Sequence, residues 1–221
     1  GGTALSSGYK TTNGVLGITP ELAPRANILE ACQAIGKNTG LVATFEWTNA
    51  TPAAFSSHAE SRLDTENIAK QILSQQIDVV LGDTDEEYAG KEWFTDEYIE
   101  NLGYTIIDDK DELLKVKSGD KVFGKLPRAY FDIYKDADTP NLAELTKAAI
   151  TALDDDNENG FFLMVEGSVV DLGGHNSNAV EMVSEYLSFD AACKVAIEYA
   201  KTRKDTMVVI LPDHDTGGLS I

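Results

Sequence analysis

Positive charge is scarce in this sequence. Against 37 Asp and Glu stand 18 Lys and Arg, a net charge of −19 over 221 residues. A protein that neutralises nucleic-acid phosphates needs a basic face. No stretch supplies one, so that class is disfavoured. The acidic surface aids solubility, and some of its carboxylates are candidates for cation binding. Cysteine is nearly absent: Cys32 and Cys193 are the only two, both in apolar helical patterns, neither with a CxxC partner. They are expected as buried free thiols rather than a bridge, and they leave the compartment open. No run approaches the roughly 18 apolar residues that a membrane-spanning helix needs. With 43% hydrophobic and 25% charged residues, collagen-like and disordered classes are excluded as well. The ends lack the marks of a complete chain. Residue 1 is Gly, no signal peptide is visible, and Gly217 to Ile221 read as the middle of a loop, so a fragment of a longer protein is expected.

What is present alternates between strands and helices. Asn27 with Glu30 predicts a capping box opening a helix that ends near Gly36. Leu41 to Phe45 reads as a short buried strand. Thr51-Pro52 reads as an N-cap followed by proline at the first helical position. A polar-faced helix is expected over 65–75, a strand over Ile77 to Leu81 closed by Gly82, and a helix from Thr95 to Leu102 with Gly103 behind it. Tyr104 to Ile107 and Lys121 to Leu126 read as strands. Asp83 to Lys91 and Asp132 to Pro140 read as polar surface loops. Later, Asn141 to Leu153 places Leu142, Leu145, Ala148, Ala149 and Leu153 on one helical face. Phe161 to Val165 and Met207 to Leu211 are continuous apolar strands, with a helix over Phe189 to Ala200 between them. Such alternation predicts α/β architecture: a mostly parallel sheet covered by helices on both faces. Its site lies beyond the carboxyl ends of the strands.

Chemistry-bearing residues gather where those two apolar strands end. Glu166, Asp171 and His175 follow the first; Pro212-Asp213-His214-Asp215-Thr216-Gly217-Gly218 follows the second. Two of the three histidines therefore sit beside carboxylates. Carboxylate oxygen and imidazole nitrogen together form a common zinc-ligand set. Asp171 and His175 are close enough in sequence to share one cation. Asp213 and His214 can share one if the backbone turns sharply, which the Gly pair permits. A single Asp or His at a strand end is often a capping or solvated residue; two such pairs at two strand ends favour a metal site.

These segments resemble the alkaline phosphatase family: Phe161-Phe162-Leu163-Met164-Val165-Glu166-Gly167-Ser168, Asp171 and His175, and Asp213 to Gly218. So do Gly2-Thr3-Ala4-Leu5-Ser6-Ser7-Gly8, Lys10-Thr11-Thr12-Asn13-Gly14, and Ala50-Thr51-Pro52-Ala53-Ala54 with Arg62 beyond it. The motifs run in the family's order from residue 1 to about 218 and are weakest over about 83–138, which reads as a variable insert. The resemblance implies an α/β/α sandwich, here one catalytic domain over 1–221 that is incomplete at both ends. It implies hydrolysis of phosphate monoesters through a phosphoserine intermediate, with two zinc ions and one magnesium. Asp171 and His175 match ligands of one zinc, Asp213 and His214 those of the other. Glu166 and Thr51 match magnesium ligands, and Arg62 matches the arginine that grips phosphate in a two-pronged fork. His58 matches no ligand and is expected to be structural; Asp215, Thr216 and the Gly pair are expected to shape the loop.

The resemblance places the nucleophilic serine, a bridging aspartate and a last histidine outside the 221 residues, so these residues alone are expected to be inactive or nearly so. It also implies export and a homodimer. Two alternatives stay open: a phosphodiesterase or sulfatase on the same two-metal scaffold, and an inactive, truncated metal-binding copy. Two positions depart from relatives. Leu172 stands where some members carry a polar or basic residue near phosphate. Asn49 stands where others carry Asp or His beside magnesium. Asn49→Asp is therefore expected to shift the magnesium dependence of the full-length enzyme, read by titrating activity against magnesium; an unchanged dependence would count against that role.

Overall fold

The structure is a computed structural model and describes residues 1–84, 88–126 and 139–219. Five strands carry it: β1 (Asn38–Glu46), β2 (Val79–Asp83), β3 (Thr105–Ile107), β4 (Val122–Gly124) and β5 (Phe161–Glu166). All pair in parallel, in the order β3-β4-β2-β1-β5. The helices among the described residues are α1 (Gly2–Ser7), α2 (Ile28–Ala34), α3 (Ala50–Ser56), α4 (Thr65–Ser74), α5 (Asp96–Asn101), α6 (Lys110–Leu113), α7 (Leu142–Leu153), α8 (Val169–His175) and α9 (Ala179–Lys201).

Period-two alternation sorts the strand side chains onto two faces. Leu41, Val80, Phe123 and Met164 point one way and meet Leu29 of α2, Ala53 and Ala54 of α3, Ile68 and Ile72 of α4 and Ile99 of α5. Val42, Val79, Leu81 and Val122 point the other way and meet Leu113 of α6, Leu142, Leu145, Ala149 and Leu153 of α7 and Ala192 of α9. The two-sided parallel sheet expected from the apolar runs is therefore present. Both faces are apolar because both are covered.

Local signals explain most helix starts. Asn27 and Asn141 each form a complete capping box, with Glu30 and Glu144 returning to the cap N–H. Thr95 caps α5 through Tyr98 N–H, and Gly103 follows its end at φ 89°. Helix α3 departs from expectation. Its cap is Asn49, whose side chain accepts from Ala50 N–H, so Thr51 and Pro52 lie inside the first turn. Proline is tolerated there because the first intrahelical donor is Ala53 N–H, bonded to Asn49 carbonyl. Thr51 is thus free of the capping role.

Other expectations need correction. Met207 to Leu211 forms no strand. Met207 is 84% exposed, and Ile210 lies over α9, where it helps line a groove of about 440 Å³ with Tyr186 and Phe189. Among the described residues β5 ends the sheet, yet this run does not join it with ladder hydrogen bonds. Strand β2 extends past Gly82 because Trp47 N–H bonds Asp83 carbonyl, prolonging the pairing with β1. Helix α9 starts ten residues earlier than Phe189. Its first half leaves Val180, Val183, Tyr186 and Leu187 exposed, so no one-sided stripe announced it. Within Asp83 to Lys91, Tyr88 is buried against Trp47, Trp93 and Phe94 rather than solvated. Of Asp132 to Pro140, residues 132–138 lie outside the described residues, as does part of the 83–138 region. Cys32 and Cys193 are free as expected, but only half-buried; burial raises both thiol pKa values.

Ile72 sits fully buried between α4 and the sheet, whereas Leu63 is 83% exposed. Ile72→Ala is expected to cost about 2–5 kcal/mol through the cavity it leaves, and Leu63→Ala less than about 0.5 kcal/mol. Urea unfolding of the two variants measures the difference.

Candidate metal and phosphate site

The site forms where β1 and β5 end side by side. Parallel register sets Ala43 opposite Glu166, the last residue of β5. Beyond β1 the chain turns into α3, bringing Asn49 and Thr51 to that edge. Beyond β5 it turns through Ser168 into α8, which is tied back to β1 by Val169 N–H to Thr44 Oγ1 at 3.4 Å. Helical spacing puts Asp171 and His175 on one face of α8, with His175 Nε2 3.4 Å from Asp171 Oδ2.

The loop 213–218 then lies down on α8. Gly217 adopts φ 76°, and a Cβ there would stand 2.5 Å from the Gly174 carbonyl, so only glycine fits. The docking carries His214 Nδ1 to 3.9 Å from Asp171 Oδ1, and Thr216 Oγ1 donates to the same carboxylate. Asp213 Oδ2 is 3.1 Å from His214 Nε2. The start of α1 is also here: a Cβ on Gly1 would stand 2.8 Å from the Asp213 carbonyl.

Glu166 sits at the centre. Its carboxyl pKa is raised, above all by burial, and further by the nearby Asp213 and Asp171 charges. Hydrogen bonds with Thr51 and Ser168 oppose the rise, the latter at 2.8 Å. Arg62 reaches the same edge from the loop after α3, its Nη2 donating to Asn49 Oδ1 at 2.9 Å. Asn49 thereby caps α3 and holds the guanidinium with one oxygen.

The structure therefore brings Thr51, Arg62, Glu166, Asp171, His175, Asp213 and His214 to one region. Sequence reasoning missed the double use of Asn49, because a cap at Thr51 accounted for the helix start. Ser168 as a donor to Glu166 also went unremarked, although it stands only two residues away. His58 is structural as expected, between Gly17 carbonyl and Glu30.

The donor types suit cations. A half-buried carboxyl beside two further carboxylates is electrostatically costly unless positive charge joins it. Glu166 with the Thr51 hydroxyl offers the hard oxygens magnesium prefers; each Asp–His pair offers a zinc-type set. Among the described residues, no group of three or more His, Cys, Asp or Glu side chains is arranged to hold a metal ion on its own. The fit is one of donor chemistry, with each set short of a full complement.

The family model described as Alkaline phosphatase matches residues 1–221. The chain belongs to the alkaline phosphatase family. It is 39% identical to Alkaline phosphatase 3 of Bacillus subtilis, over 99% of this chain and 49% of that protein. It is 33% identical to the repressible alkaline phosphatase of Saccharomyces cerevisiae, over 99% of this chain and 45% of that one. Among solved structures, the cold-active alkaline phosphatase of Shewanella sp. superposes with a TM-score of 0.78 at 32% identity, over 91% of this chain and 50% of that one. The Thermus thermophilus enzyme superposes with a TM-score of 0.84 at 28% identity, over 92% and 45%. A variant of the TAB5 alkaline phosphatase carries magnesium in its M3 site. The chain spans about half the length of the curated relatives it matches.

A carboxyl whose pKa is raised by folding holds its proton more tightly when folded. Its contribution to stability is present at low pH and is lost as pH rises through the folded-state pKa. At pH 7 without metal, Glu166→Gln is therefore expected to keep or raise the thermal midpoint. Added magnesium is expected to raise the midpoint of the wild type but not of the variant. Thermal melts of the full-length protein with and without magnesium check both signs.

Proposed function

We propose that this chain forms the central part of a metal-dependent phosphomonoesterase acting through a phosphoserine intermediate. The observation that carries the reading is the gathering of Arg62, the Thr51–Glu166 pair and two Asp–His pairs at the joined ends of β1 and β5. In the proposed assignment Asp171 with His175 and Asp213 with His214 hold two zinc ions, and Glu166 with Thr51 holds one magnesium. These ions, when bound, supply positive charge for the attacking and leaving oxygens of an in-line displacement.

The chain's own residues do the rest. Arg62, steadied by Asn49, presents a planar fork that can bind two phosphate oxygens, which a lysine cannot copy. Thr216 fixes the Asp171 carboxylate by donating to it, so that its second oxygen is left to face His175. Glu166 contributes negative charge at the base of the site, with the Thr51 and Ser168 hydroxyls setting its orientation. The start of α1 lies beside Asp213, so this first helix borders the same site. A dianionic phosphate monoester matches this concentration of arginine and cation-binding groups better than a diester, which carries one negative charge fewer. Homodimeric assembly and export belong to the same proposal and rest on the family. No helix among the described residues is long and apolar enough to cross a membrane.

In the full-length protein, hydrolysis of p-nitrophenyl phosphate is expected to exceed that of bis-p-nitrophenyl phosphate. Chelation should abolish it, and zinc with magnesium should restore it. Arg62→Ala is expected to lower kcat/KM for the monoester about 10- to 100-fold, the worth of a hydrogen bond to a charged group, with Arg62→Lys recovering only part. Faster turnover of the diester would replace this reading with the diesterase one.

A further inference from the structure

The loop 57–64 between α3 and α4 carries Arg62, and it is laid against residues 14–17 like a short template. Leu16 and Ala59 exchange both backbone hydrogen bonds at 2.9 Å, and Arg62 N–H donates to Gly14 carbonyl at 2.7 Å. The far end of this ladder is His58. Its Nδ1 is 2.7 Å from Gly17 carbonyl, and its Nε2 is 2.9 Å from Glu30 Oε1. Its backbone is clasped as well: His58 N–H donates to Gln71 Oε1 at 2.9 Å, and Gln71 Nε2 donates to His58 carbonyl at 3.0 Å. All four polar groups of His58 are therefore engaged, by the 14–17 segment, α2 and α4.

The arrangement is specific on the partner side too. A carbonyl oxygen can only accept, so Nδ1 carries the hydrogen toward Gly17. Gly17 holds φ 64°, and a Cβ there would stand 2.2 Å from Ser57 carbonyl and 2.6 Å from His58 Nδ1. Glu30 uses its second oxygen to accept Asn27 N–H at 2.9 Å, completing the α2 cap. The imidazole thus pins one end of the ladder whose other end is Arg62. A slip at His58 would move the arginine backbone relative to Gly14 and pull its guanidinium away from Asn49.

We infer that His58, braced by Glu30 and Gly17, is a positioning residue that sets the phosphate grip of Arg62. This rests on the reading of Arg62 as the phosphate-binding arginine. His58 touches no substrate; it acts through the register of 57–64 against 14–17.

The test is binding of inorganic phosphate to the full-length protein, by calorimetry, in wild type, His58→Gln, Arg62→Ala and the double variant, with kcat and KM for p-nitrophenyl phosphate beside it. His58→Gln is expected to weaken phosphate binding about 3- to 10-fold, the scale of one hydrogen bond. KM should rise more than kcat falls. In the Arg62→Ala background the same substitution should change phosphate affinity no further, because its effect passes through the arginine. Glu30→Ala serves if His58→Gln folds poorly: it removes the side chain that faces Nε2, and a loss of phosphate affinity in the same direction is expected. A lowered thermal midpoint with unchanged phosphate affinity overturns the inference, as does a loss that persists undiminished without Arg62. If Arg62→Ala itself leaves phosphate binding unchanged, the phosphate-grip reading fails and this inference falls with it. A strong Arg62 effect with a silent His58 overturns this inference alone.

Discussion

Parallel pairing between β1 and β5 sets Ala43 level with Glu166, and both strands release their chains at the same edge. From β1 the chain enters α3 with Asn49 and Thr51; from β5 it enters α8 with Asp171 and His175. Had either strand run the other way, one of those sets would lie on the far side of the sheet. The two buried faces hold the register, since slipping by one residue would exchange Leu41 and Met164 for Val42 and Val165 on opposite layers. Burial of ordinary aliphatic residues therefore fixes the spacing of the polar ones.

Charge then has to be accommodated where the strands end. Desolvation raises the Glu166 carboxyl pKa, and the nearby Asp213 and Asp171 charges raise it further. Hydroxyls from Thr51, Ser168 and Thr216 meet these carboxylates, while Arg62 is held one step away by the neutral Asn49. A neutral partner leaves the guanidinium charge uncancelled, as suits a group meant to meet an anion. The overall excess of acid over base says nothing of this, because it is the local pairing that decides which charges remain available.

The sequence was most legible where one local signal sufficed. Asn27 and Asn141 with their glutamates announced two helix starts, and the apolar runs of β1, β2 and β5 announced a covered parallel sheet. It was less legible where two signals competed. Thr51-Pro52 reads as a helix opening, yet Asn49 stands two residues earlier and caps the helix with the same oxygen that accepts from Arg62. Met207 to Leu211 has the composition of a buried strand, but composition cannot say whether the run will join the sheet, and it does not pair with the terminal strand β5. The candidate site residues were legible chiefly as family motifs: Glu166 does end a strand, but the strand expected before Asp213 and His214 is absent. Their contacts through Asn49, Ser168 and Thr216 depend on turns that no spacing rule specifies.

The contact between Gly217 and the end of α8 joins two halves of the site that are far apart along the chain. Neither Gly217 nor Gly174 offers a side chain, so the join is made by backbone against backbone. Beside this join, Thr216 and His214 add side-chain contacts from the same loop to Asp171 of α8. Any ligand that grips Asp171 and His214 together is then also a clasp on the loop, and its affinity includes the work of closing it. By the same linkage, whatever keeps the loop seated in the ligand-free protein makes that ligand bind more tightly, without touching it.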